Sequence, residues 1–203
     1  MAKNMSGPPF APPARRGCAG SSSDDSRSPR FLRPLPPEKA GGRIERGRLN
    51  IRIDRDGVWY YEGSPINRKS LVCLFASVLT RDASGDYWLA TPAEIGRIEV
   101  EDTPFVAVEL YVAGTGRTQI LSIRTNVDEI VTIDKDHPIT IVTNPNTGEP
   151  SPYVSLREGI DARLSRSVFY ELVDLGVEQD TQGAHMVGVW SSGCLFPLGS
   201  MEA

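Results

Sequence analysis

The amino-acid sequence reads as an α+β protein of two similar halves, each an antiparallel sheet with one main helix. Three observations lead there. Short apolar runs of strand length recur from Leu49 to Val142, with Gly or Asn/Asp turns between them. Two segments, one after Asn67 and one from Ile160, instead space their apolar residues by three and four, as a helix with one buried stripe does. Shifting the chain by 94 residues lays Trp59 on Tyr153, Ile66 on Ile160, Leu74 on Val168, Phe75 on Phe169, Val78 on Leu172 and Leu79 on Val173 without a gap. That coincidence suggests an internal duplication.

The elements follow in order. Leu49, Ile51 and Ile53 alternate with Asn50, Arg52 and Asp54, which starts a half-buried strand. Asp56-Gly57 then turns the chain, and residues 58–61 return as the hairpin partner. After Gly63-Ser64-Pro65, Asn67 is placed to cap a helix whose stripe is Leu71, Leu74, Phe75, Val78 and Leu79. Strands are expected at 87–90, 96–100, 105–112, 118–124, 129–133 and 139–142, as an antiparallel meander in a curled sheet or small barrel. Gly114-Thr115-Gly116 opens no helix, so it reads as a hairpin turn and not a phosphate loop. A turn at 144–148 and a strand at 153–156 precede the second helical stripe of Ile160, Leu164, Val168, Leu172 and Val173, which Gly176 ends. A closing strand covers 186–190, and Leu195, Phe196 and Leu198 pack behind it.

Residues 1–40 differ from the rest. They hold eight of the 16 prolines, a Ser21-Ser22-Ser23 run and few large apolar side chains, too little to offset the entropy of folding, so a disordered tail is expected. Seven basic residues against three acids make this tail +4 in a chain of net charge -4, which leaves the body at -8. Such a tail solvates the protein, touches an anionic partner or folds over the acidic body. The division expected is a tail at 1–40, an N-terminal α+β subdomain at 41–95 and a C-terminal one at 96–203.

Several function classes are disfavoured. An acidic chain of pI near 5.3 lacks the footprint of a nucleic-acid binder. The longest apolar run, 71–79, falls well short of a membrane span, and prolines interrupt any signal-peptide core near the start, so a cytoplasmic protein is expected. Cys18, Cys73 and Cys194 form neither a disulfide framework nor a zinc motif, and His137 and His185 have no metal-ligand spacing. Cys73 reads as a core thiol, and Ser64 lacks a nucleophile elbow. Glu99, Glu101 and Asp102 read first as a solvated strand face.

What remains is a set of arginines. Arg68 falls in the first turn of the first helix, Arg157 in the loop before the second, and Arg163 and Arg166, three apart, on one face of that second helix. Guanidinium forks suit phosphate and carboxylate, so these residues either hold an anion or pair with Asp102 and Glu94 across an inter-repeat interface.

The stretch Asp56-Gly57-Val58-Trp59-Tyr60-Tyr61-Glu62-Gly63-Ser64-Pro65-Ile66, with Arg68, Leu71-Val72 and Leu74-Phe75 behind it, resembles the opening motif of the bacterial domain-of-unknown-function family 1285. Residues 87–94 with Thr91-Pro92, then Val100-Glu101-Asp102-Thr103-Pro104-Phe105, Arg124-Thr125-Asn126, Tyr153-Val154 to Arg157, and 163–170 match in order, over about residues 49–198. The resemblance implies two similar α+β halves, the second loosely like a pleckstrin-homology module, with a small-ligand site at their interface. It also implies a nucleotide-like ligand and a signalling role. Its motifs carry Arg68, Glu94, Asp102, Arg124, Asn126, Arg157 and Arg166 as binding candidates, to which the helical-face argument adds Arg163.

The leading expectation is therefore a non-enzymatic ligand-sensing module, its partners a nucleotide-like small molecule and a signalling protein. A protein-interaction adaptor without a small ligand is the alternative, and a metal-assisted phosphohydrolase using Glu94, Glu101 and Asp102 is a third. Nothing in the sequence identifies a cofactor.

Overall fold

The computed structural model describes residues 44–143, 148–181 and 184–200. The tail expected at 1–40 and most of the 144–148 turn lie outside them.

β1 (Ile44–Ile53) turns at Asp56-Gly57 into β2 (Trp59–Tyr61), pairing Ile51 with Tyr61 and Ile53 with Trp59, and β3 (Ser64–Pro65) folds back on β2. Helix α1 (Lys69–Ser77) leads to β4 (Leu79–Arg81), β5 (Tyr87–Ala90) and β6 (Glu94–Val100). The second half runs β7 (Phe105–Ala113), β8 (Ile120–Thr125), β9 (Ile130–Thr132), β10 (Ile139–Thr143), β11 (Pro150–Arg157) and β12 (Ile160–Leu164). Helix α2 (Arg166–Asp174) follows, and β13 (Val177–Thr181), β14 (Ala184–Ser191) and β15 (Cys194–Ser200) form a separate antiparallel sheet.

The duplication is present. One sheet has the order β3-β2-β1-β6-β5-β4 and the other β9-β8-β7-β12-β11-β10, so both join two three-stranded meanders by one parallel seam. The seam is β1 against β6 in the first half and β12 against β7 in the second. The sheets are thus mixed and not purely antiparallel: short turns predict pairing between consecutive strands, whereas the first and last strands of each unit meet only through the fold.

The register of the repeat differs from the 94-residue superposition. Helix α1 lies inside its unit, between β3 and β4, while α2 follows the last strand of the second unit. The two helices are therefore not equivalent. The sheets part between Val100 and Phe105, so the division expected after residue 95 falls inside β6.

The helices are also shorter than their stripes. Ile160, Ala162 and Leu164 are buried while Asp161 and Arg163 between them are half-exposed, the period two of a strand. α2 starts after Ser165, whose side chain accepts from the Val168 backbone N–H at 3.4 Å, and it buries Val168 and Leu172. α1 starts after Arg68, one residue later than the Asn67 cap, with no side-chain cap, and Leu79 already belongs to β4. Its inward residue is Ala76, whereas Leu74, assigned to the buried stripe, is 60% exposed.

The apolar core is continuous between the halves. Ile53, Trp59 and Leu79 of the first and Phe105, Leu121, Ile123, Val154, Ile160 and Leu172 of the second belong to one buried cluster. Burying each such side chain stabilises the fold by about 1.5–3 kcal/mol. No helix among the described residues is long and apolar enough to cross a membrane.

Candidate functional site

The seam between the halves is where the polar chemistry concentrates, and α1 is its main joint. Lys69 Nζ lies 2.6 Å from Asp128 Oδ2, Cys73 Sγ is 3.5 Å from the Val127 carbonyl, and the Ala76 carbonyl accepts from Arg157 Nη2 at 2.9 Å. Positions 69, 73 and 76 fall on one helical face, so α1 turns a single side toward the second half.

Asn126 makes a second joint. Its Nδ2 donates to the Gly57 carbonyl at 3.0 Å, while its Oδ1 accepts from the Val106 N–H at 3.2 Å. The β1–β2 turn is thereby clasped to β7. Gly57 has φ +76°, and a Cβ there would stand 2.6 Å from Asn126 Nδ2, so only glycine permits both the turn and the contact.

Arg163, on β12, reaches back to the same turn. Its Nη2 donates to the Arg55 carbonyl at 2.6 Å and lies 3.6 Å from Asp56 Oδ1, while its Nε is 3.5 Å from Asp102 Oδ2. Tyr153 O–H donates to the other oxygen of Asp102 at 3.0 Å. Burial, and then this bond to a carboxylate, raises the Tyr153 phenol above its ordinary range. Tyr87, buried in the first half, is raised mainly by its burial; the charge of Arg81 opposes that, and those of Asp161 and Asp102 add to it. Arg157 also stands over the Phe105 ring at 5.5 Å and lies 3.3 Å from Glu129.

Asp102, Asn126, Arg157 and Arg163 therefore line one seam. Arg124 backs it from β8, held by Glu109 at 3.0 Å and Asp128 at 2.6 Å, and its bond to Glu109 chiefly raises its pKa. The other candidates stand apart from these contacts. Arg68 is exposed, with no ion pair among the described residues, and Arg166 is 77% exposed and only 3.7 Å from Glu149. Glu94 pairs with Arg46 along the β1–β6 seam, which holds its carboxyl below the usual range. Arg163 and Arg166 do not share a helical face, because Arg163 is on a strand and Arg166 opens α2, and Arg157 ends β11 instead of lying in a loop.

The carboxylates proposed for metal chemistry do not converge. Glu94 pairs with Arg46, Glu101 with Arg52, and Asp102 with Arg163. Among the described residues no group of three His, Cys, Asp or Glu is placed to hold a metal ion.

Two buried guanidinium donors in the seam lack a hydrogen-bond partner. Arg157 Nε and Arg163 Nε are both buried without a hydrogen-bond partner, although Arg163 keeps its longer ion pair to Asp102. Sequence reasoning missed Lys69, Asp128, Glu129, Asp56 and Tyr153. Of these, Tyr153 could have been found by period two, since it faces Arg163 across the β11–β12 ladder.

The family models agree with this two-part architecture. Residues 41–103 match the domain of unknown function DUF1285, N-terminal domain, and residues 104–198 match the protein of unknown function DUF1285, C-terminal domain. The crystal structure of a DUF1285 family protein from Silicibacter pomeroyi DSS-3 is similar, with 41% identity, a TM-score of 0.71, and 88% of this chain and 91% of that one covered. A second, from Shewanella baltica OS155, is 26% identical with a TM-score of 0.49 and covers 62% of this chain and 91% of its own. No curated protein matches significantly. With both domain models matched in order over two sheets of equal topology, the chain belongs to the DUF1285 family of proteins of unknown function.

Proposed function

We propose that this protein is a non-enzymatic regulatory module that takes a small anionic, nucleotide-like molecule at the seam between its halves. The observation that carries the reading is the buried Nε of Arg157, which has no hydrogen-bond partner, beside the buried Nε of Arg163, which reaches only Asp102 Oδ2, at 3.5 Å. A buried donor left unpaired costs about 1–3 kcal/mol, and a phosphate or carboxylate oxygen would recover that cost. The ion pair of Arg163 with Asp56, an aspartate 85% exposed, is the contact that gives way, and Asp102 then reads a hydroxyl or ring nitrogen. Because the same residues tie the halves together, occupancy changes how the halves pack, which is the signal. We place the module in the cytoplasm, where the free thiols of Cys73 and Cys194 stay reduced.

The test is thermal shift followed by calorimetric titration of the full chain with nucleoside mono-, di- and triphosphates and cyclic nucleotides. A stabilising nucleotide whose effect is lost in Arg163→Ala and Arg157→Ala supports the reading. No stabilisation across the panel in folded protein overturns it. The adaptor reading would then take precedence, supported by the exposed Tyr170 and Val173, three apart on α2.

A further inference from the structure

A groove of about 520 Å³ crosses the outer face of the first sheet, lined by Glu45, Gly47, Arg48, Trp88, Arg97 and Glu99 with Ile98. It lies on the first half alone, away from the contacts between the halves. Strand register explains its layout: Trp88 on β5 is opposite Arg97 on β6, and Arg97 is opposite Arg48 on β1. Registered neighbours share a sheet face, so an indole and two guanidiniums stand in one row across the strands. The next row begins with Glu99, opposite Arg52.

The row is held in place. Trp88 Nε1 donates to Asp82 Oδ2 at 2.8 Å, which fixes the half-buried ring, and Asp82 stays ionised below its ordinary range because hydrogen bonds from Trp88 and the turn backbone outweigh its burial. Arg48 pairs with Glu99 and Arg97 with Asp86, each at 2.5 Å through one Nη2. Most N–H donors of both guanidiniums remain available.

We propose that this groove is a binding site for a neutral saccharide. Its lining sets two guanidiniums, Arg48 and Arg97, beside two carboxylates, Glu45 and Glu99, and Asp86 on Arg97 and Asp82 on Trp88 add further negative charge around it, so an anion meets more carboxylates than guanidiniums. A neutral polyol uses both signs at once, donating from one hydroxyl to a carboxylate and accepting at its neighbour from a guanidinium. The indole supplies the apolar plane that the C–H face of a sugar ring needs. The volume lies in the range of small-molecule sites.

The experiment follows the Trp88 indole N–H of the full chain by 15N–1H correlation spectroscopy, assigned with Trp88→Phe, during titration with maltotriose, cellotriose and chitotriose. At least one should move the Trp88 indole and Arg97 amide resonances saturably in the millimolar range, with affinity weakened tenfold or more in Trp88→Ala and in Arg97→Ala. Arg163→Ala should leave this binding unchanged, which separates it from the seam ligand. Two outcomes overturn the proposal: no saturable shift with any saccharide, or shifts produced by a charged peptide or nucleotide and not by the saccharides. If Trp88→Ala fails to fold, the exposed Arg97→Ala and Glu99→Gln decide.

Discussion

Arg157 of the second half donates to the carbonyl of Ala76 in the last turn of α1, 2.9 Å away and 81 residues apart in the chain. The last turn of α1 carries no basic residue of its own. Its carbonyls are the negative end of the helix dipole, and although the Val78 N–H and the Ser77 hydroxyl reach some of them, the second half supplies the cation that the helix lacks. A helix of nine residues is marginal alone, and this contact adds to the core packing that holds α1 in place.

Arg157→Ala should therefore loosen the joint and fray α1. The expected loss is about 1–3 kcal/mol, the usual cost of removing a partly buried charged donor from its acceptor. Arg157→Lys should recover only part of it, because an ammonium cannot reach Ala76 and Glu129 with one planar fork. Urea unfolding of the three proteins measures this. Equal midpoints would show that the contact contributes nothing.

Gly57 and Gly63 separate backbone strain from the Asn126 clasp. Both have positive φ, +76° and +81°, but a Cβ at Gly63 meets open space while one at Gly57 runs into Asn126 and Val106. Gly63→Ala should cost only the left-handed backbone penalty, about 1–2 kcal/mol. Gly57→Ala should cost more, by about 1 kcal/mol for the displaced hydrogen bond, and Asn126→Ala should abolish most of that difference. Denaturant titration of the single and double variants gives the comparison.

Much of this architecture was legible locally. Asp56-Gly57 announces its hairpin, and Tyr87–Ala90 is the strand that its pattern predicts. β12 was hidden because Ile160 and Leu164, four apart, satisfy a helical spacing, and only the burial of small Ala162 between them reveals period two. β13 has a single apolar residue, Val177, and pairs only with β14, so its sequence carries almost no signal. For the seam, residue type and motif pointed to Arg157, Arg163, Asn126 and Asp102. What the first three reach, however, is the carbonyls of Ala76, Arg55 and Gly57, and a backbone carbonyl leaves no mark in a sequence.

Acid should open the α1 joint through Asp128. The bond from Lys69 chiefly holds its carboxyl below the ordinary 3.8, with burial opposing and Arg124 helping. A carboxylate depressed on folding contributes stability that is present above its unfolded pKa and is lost as pH falls through the folded one. The wild type should therefore exceed Asp128→Asn in stability near neutrality, and the two should converge below about pH 4. Asparagine tolerates the positive φ of +65° at this position, so the backbone is not in question. Urea midpoints against pH test it, and a gap that persists unchanged at low pH would remove Asp128 from the joint.

The β1–β6 seam, which carries the outer groove, rests on a fit between Gly96 and Leu49. A Cβ at Gly96 would stand 2.5–2.8 Å from three side-chain carbons of Leu49, so Leu49 lies directly over the bare backbone of β6. Gly96→Ala must push Leu49 out of this position, and Leu49→Ala must leave a void above the glycine; each alone should destabilise, by about 1–3 kcal/mol for overpacking and about 2–5 kcal/mol for truncation. Together they should interfere favourably, because the new methyl fills part of the space that leucine vacates. The double variant is expected to be more stable than the sum of the singles by about 0.5–3 kcal/mol, the coupling found between residues in contact. Because Leu49 adjoins Arg48, Gly96→Ala should also shift the Arg48 and Arg97 amide resonances, and the double variant should return them toward their original positions. Strict additivity in urea unfolding would mean that the two sites do not share this space.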